Sequence, residues 1–213
     1  MSLRNFCFGL VLLGCSQVWA AEVALVMSVQ GKVTRIAEVP GPVPVEAFVK
    51  LKEGDRISLD NESRLQVVYF ENGRRETWSG PGRLDMGVRE GKASGLAAPD
   101  VKSLPLVLAK QLARTPALDS QGRAGVTRLR SVPSPDALTR LENTYQELRK
   151  SRVGGDDLAP EMYLLSGLYE MRELDRVEKM LADLKRDWPK SGEAALLISL
   201  YRKAVKNARE SRN

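Results

Sequence analysis

The sequence predicts a mainly β amino-terminal domain, an antiparallel sandwich or roll, followed by an all-helical carboxy-terminal domain of hairpin-paired helices. Three observations predict this. From Leu51 to Met86, short β-branched and aromatic runs alternate with tight-turn residues. From Ser134 onward, apolar residues recur at i, i+3 and i+4. Between the two lies a stretch punctuated by Pro99, Pro105, Pro116 and Pro133. The chain has 213 residues, room for two small domains. We read residues 1–20 as a signal peptide, 21–92 as the β domain, 93–133 as a linker and 134–213 as the helical domain.

In the β domain, Ala24–Val29 and Lys32–Ile36 read as two strands joined at Gln30-Gly31. Pro40, Pro42 and Pro44 keep residues 38–45 out of any central strand, because proline cannot donate to a ladder. Ala47–Leu51 is a further short strand. Gly54-Asp55 and Asp60-Asn61 mark turns, and Gly80-Pro81-Gly82 breaks the chain before Arg83–Met86. Asn72-Gly73 predicts a two-residue type I′ turn, which needs φ > 0 at both positions, between Leu65–Phe70 and Arg74–Trp78. Six or seven strands with short connections favour antiparallel pairing.

These residues resemble the FecR-like domain: Gly31-Lys-Val33, Leu51-Lys-Glu-Gly54-Asp55-Arg-Ile57, Leu65–Phe70, Asn72-Gly73 and Leu84-Asp-Met86 match its pattern. The resemblance covers about 70 residues, from Glu22 to Gly91. It implies an envelope interaction module. The family's signalling members carry a cytoplasmic segment and a membrane span before the domain. Here only five residues precede a short apolar core, so an anti-sigma role is not expected.

In the linker, Leu104–Ala113 could give one or two helical turns, and Val126–Arg130 could add an edge strand. Ser134-Pro135-Asp136 then supplies a capping hydroxyl, a proline at the first helical position and an early acid. Leu138, Leu141, Tyr145 and Leu148 keep one face of that helix apolar. Further helices are expected from Pro160, from Asp175 to Asp187, and from Ser191 to Arg209. Val177, Leu181, Leu184 and Pro189 fall at the spacing of the tetratricopeptide (TPR) motif, and Leu164 and Leu168 fit its first helix. This resemblance gives one complete unit over residues 160–190, and a stable solenoid usually needs about three. A four-helix bundle, or a short repeat capped by another surface, is the expected form.

Arg4 and the apolar stretch Phe6–Gly14 read as an export signal, with Val18 and Ala20 at the −3 and −1 positions of a cleavage site. Leu12-Leu-Gly-Cys15 also resembles a lipobox, which would leave Cys15 lipidated and the protein anchored at the outer membrane. The soluble, periplasmic reading is preferred for its well-formed cleavage site. No stretch reaches the ~18 apolar residues of a membrane span.

The chain has no histidine, and its two cysteines are Cys7 and Cys15. That closes Ser-His-Asp and Cys-His nucleophiles, His/Cys zinc sites and a disulfide in the mature chain. No cofactor is implied, and no enzyme activity is expected. Gly154-Gly-Asp-Asp157 resembles the Gly-Gly-Asp-Glu turn of cyclic-dinucleotide synthases, but helices flank it here. A link whose acids favour the next helix N-terminus is the better account. Asp55, Asp60, Glu62 and Glu71 lack calcium-loop spacing and read as turn formers.

The net charge is +6, or +5 without residues 1–20, with the excess in residues 93–135. For an exported chain this excludes nucleic acid as the expected partner. Arg202, Lys203, Lys206, Arg209 and Arg212 form a basic final helix, which complements the helix dipole and offers weak contact with an anionic surface. The expected function is protein–protein contact in the envelope, with the polar-tipped Tyr163, Tyr169 and Tyr201 as a groove wall or rim. The alternative is a ligand- or cell-wall-binding module with its site on the β domain, where Tyr69, Phe70 and Trp78 are the aromatic candidates.

Overall fold

Strands and helices divide as the hydrophobic periods require. The computed structural model describes residues 21–36, 41–116, 135–152 and 157–210. The strands are β1 (Glu22–Gln30), β2 (Val33–Ile36), β3 (Val43–Pro44), β4 (Lys50–Lys52), β5 (Arg56–Leu59), β6 (Arg64–Tyr69), β7 (Arg74–Ser79), β8 (Gly82–Met86), β9 (Gly91–Ser94) and β10 (Asp100–Ser103). The helices are α1 (Leu106–Leu112), α2 (Pro135–Lys150), α3 (Ala159–Glu170), α4 (Leu174–Asp187) and α5 (Gly192–Glu210). Two antiparallel sheets of five strands form, ordered β10-β7-β6-β1-β4 and β3-β2-β5-β8-β9.

The sheets face each other across a core of Val26, Leu51, Leu65, Val67, Tyr69 and Trp78 from the first, and Val33, Ile57, Leu59, Leu84 and Met86 from the second. Period two explains the assignment: Leu65, Val67 and Tyr69 of β6 share one face, while Val68 faces the other way. The run Val23–Met27 is apolar without alternation because β1 lies mid-sheet and is covered on both sides. Leu25, Met27 and Val68 join one continuous apolar cluster with Leu108, Ala109 and Leu112 of α1 and with the interior of α2–α5. The protein therefore has three layers: sheet, sheet and helices.

The Asn72-Gly73 turn differs from expectation. Only Gly73 takes positive φ, at +70°. The loop is longer than two residues, because Val68 pairs with Arg75 and the Gly73 amide donates to the Tyr69 carbonyl at 3.0 Å. Asn72 acts through its side chain instead, accepting from the Arg74 amide and donating to the Arg89 carbonyl, both at 3.0 Å. Gly73 is also a close approach. A Cβ there would sit 2.4 Å from the Leu104 carbonyl oxygen.

One further finding revises the expected organisation. The stretch read as a linker holds β10 and α1 in its described part, so the sheet extends past residue 92 to Ser103. Polar β10 carries a weak strand signal of its own and is held by pairing with β7. Residues 126–130, read as a further edge strand, lie outside the described residues, as do Cys15 and the rest of residues 1–20. Pro44 sits on edge strand β3, where a missing N–H costs nothing.

Candidate functional site

α3 is the axle of the helical layer. Every residue from Ala159 to Tyr169 is buried. A helix apolar all round must be covered all round, and α1, α2 and α4 pack on it. Gly167 is needed at the α2 contact, because a Cβ there would lie 2.4 Å from Leu141 Cδ1. α4 turns Val177, Leu181 and Leu184 inward and leaves a polar face outside.

Where α2, α3 and α4 diverge they leave a groove of about 590 Å³. Its floor is Leu164, Leu168 and Leu184, with Tyr145 and Trp188 as aromatic walls. Its rims are charged and paired. Arg176 reaches Glu142 at 2.5 Å, and Arg186 holds Asp183 at 3.0 Å and Asp187 at 2.9 Å. The Arg149 guanidinium lies 5.7 Å from the Tyr145 ring centroid, and that of Arg152 lies 5.3 Å from the Trp188 ring. Lys179 and Met180 complete the α4 side.

Glu161 is the anion at the base of this groove. It is 3% exposed, pairs with Arg152 through Oε1 and lies 3.8 Å from Arg149. Its Oε2 is buried with no hydrogen-bond partner. Burial pushes its carboxyl above the ordinary glutamate range, against the pull of Arg152 and Arg149. Burial, and next the Glu161 charge, also push the Tyr145 phenol up.

A carboxyl raised in the fold favours the folded state fully below its ordinary value, and that contribution is lost as pH rises through the folded value. The urea midpoint of the native protein should therefore gain on that of Glu161→Gln as pH falls through that window. A difference that stays constant with pH would show that Glu161 titrates alike in both states.

The three tyrosines taken as a rim are interior. Tyr163 is 6% exposed, Tyr169 4% and Tyr201 0%. Tyr169 and Tyr201 meet edge to face at 6.1 Å, and the Tyr169 hydroxyl donates to the Ala204 carbonyl at 3.3 Å. The Tyr201 hydroxyl is buried without a hydrogen-bond partner among the described residues, and burial raises both phenols. They are core residues, and the groove wall is made by Tyr145 and Trp188 instead. Tyr69 and Trp78 likewise fill the sandwich core, while Phe70 packs on the helical side.

Sequence reasoning passed over Glu161, although it left a signal. Glu161 is the one charged residue between Leu158 and Tyr169, in a run too apolar to have a solvent face. It also passed over Arg75, whose guanidinium pairs at 2.8 Å with Asp157, both largely buried between the sheet and the helices. Asp157 also accepts from the Ala159 amide at 3.1 Å, the N-terminal role expected of it. Gly154, Gly155 and Asp156 lie outside the described residues.

The turn acids stand in separate places. Asp55 accepts from the Lys52 amide at 2.8 Å, Asp60 pairs with Lys32 at 3.2 Å, and Glu71 pairs with Arg89. On the basic final helix, Arg209 bridges to Asp175 at 2.8 Å and Glu178 at 3.0 Å, so part of its charge is spent inside the helical layer. No helix among the described residues is long and apolar enough to cross a membrane. Comparison of the chain with protein-family models, with curated proteins and with solved structures finds no match in any of the three.

Proposed function

We propose that the protein is an exported, non-enzymatic envelope protein that works by protein–protein contact, with the α2/α3/α4 groove as its contact surface and the β sandwich as its brace. The single observation that carries this reading is the groove itself: an apolar floor, two aromatic walls and charged rims. Aromatic anchors ringed by polar groups are what hot-spot contacts between proteins use. The export signal at residues 1–20 and the FecR-like and TPR-like resemblances support the compartment and the mode of action. The partner is a segment of another envelope protein, extended or helical, that brings apolar side chains to the floor and charges to the rims.

The test is capture from envelope extract on the immobilised full chain, read by mass spectrometry. Lys179→Glu with Arg186→Glu reverses charge at the rim without touching the core. It should cut recovery of the captured protein about tenfold or more. Arg56→Glu on the second sheet is the control and should leave recovery unchanged. Equal capture by the rim variant, or retention of glycan with no protein, would sink this reading.

A further inference from the structure

β10 closes one end of the first sheet and pairs, among the described residues, with β7 alone. All four of its residues are exposed. The direction of its free groups follows from one bond. The Leu104 amide donates to the Gly73 carbonyl at 2.8 Å. Antiparallel ladders alternate, so Lys102 and Asp100 also direct their backbone groups to β7. Val101 and Ser103 then direct theirs outward. Five large apolar side chains are exposed among the described residues: Val101, at 43%, lies on β10, and Leu106 and Val107, each at 50%, open α1 just after it.

We propose that this edge pairs with the same edge of a second copy, antiparallel about Val101, to give a dimer with a continuous ten-stranded sheet. Charge selects both the occupant and the register. Centred on Val101, Asp100 of each copy lies opposite Lys102 of the other, twice by symmetry. Centring on Asp100 or on Lys102 would instead oppose like charges. Within one chain the same two residues meet only at 3.8 Å, largely exposed. A lysine on an edge strand ordinarily guards against pairing. Here the neighbouring aspartate cancels it for one strand sequence, its own. Pro99 has no amide to donate, so the ladder is limited to about four hydrogen bonds and the dimer forms with modest affinity.

Sedimentation of the native protein should show a concentration-dependent dimer by about 100 µM. Lys102→Asp sets aspartates opposite each other and should raise the dissociation constant about tenfold or more. Asp100→Lys combined with Lys102→Asp restores the opposed pairs and should recover the dimer. In a Cys7→Ala, Cys15→Ala background, Val101→Cys should cross-link across the two-fold on mild oxidation, while exposed Lys190→Cys should not. A monomer at every concentration, as when residues 126–130 of the same chain cover the edge, overturns the proposal. So does a dimer indifferent to Lys102→Asp, or a Val101→Cys variant that cross-links no better than the control.

Discussion

Tyr163→Ala should destabilise the protein by about 3–5 kcal/mol, in the range for truncating a buried aromatic. Leu181→Ala should cost about 2–5 kcal/mol. Tyr163 is 6% exposed and Leu181 1%, and both belong to the cluster that also contains Leu25, Met27 and Val68 of the sheet. Because that cluster is shared, the loss should not be confined to the helices. Trp78 sits in the sandwich core and Trp188 at the helical groove, so the sandwich and the helices each carry a fluorescent reporter. Unfolding followed through each tryptophan, with the other changed to Phe, should give coincident transitions that both variants move together. Separate transitions, with only the Trp188 signal shifted, would show that the helices fold apart from the sheet.

The second large effect is expected at the junction between the layers. Asp157→Ala leaves the Arg75 guanidinium inside without its anion, and removing one partner of a buried pair costs about 3–5 kcal/mol. The Arg75 side chain is 6% exposed and that of Asp157 13%. The Arg75 Nε already lacks a partner among the described residues. Replacing both, as Arg75→Met with Asp157→Ala, removes the stranded charge and should recover much of that loss. A double-mutant cycle on urea midpoints measures the coupling. If Asp157→Ala moves the midpoint no more than a surface substitution does, water reaches the pair and the junction is looser than drawn.

The order of the layers could be read from the sequence because two different periods write it. Period-two alternation in Arg74–Trp78 and helical spacing in Leu138–Leu148 are local facts, and the strands and helices stand where those facts put them. What could not be read was long-range. β10 is four residues long, too short for a period to show, and it exists because β7 holds it, whereas the helical turns expected within Leu104–Ala113 stand as α1, packed on α3. The tyrosines failed as a rim for a related reason. A polar tip on an apolar helix is equally compatible with a surface and with a buried edge-to-face pair, and only the position of α5 decides for Tyr169 and Tyr201. The groove depends on how three helices splay, which no single helix encodes. Glu161 was the exception, since one charge in a helix without a polar face implied a buried charge and a reason for it.

The place of β1 sets an order on folding. It is the first strand made, yet it sits between β6 and β4, pairing with residues 64–69 on one side and 50–52 on the other. As the chain emerges amino end first, β1 is finished by residue 30 and has no neighbour until roughly twenty to forty more residues have followed. Its two apolar faces wait uncovered in that interval, and the second is covered only once α1 and the helices after it have been made. A chain whose first strand waits for its cover exposes apolar surface while it is being made, and such surface is where aggregation of an unfinished chain begins.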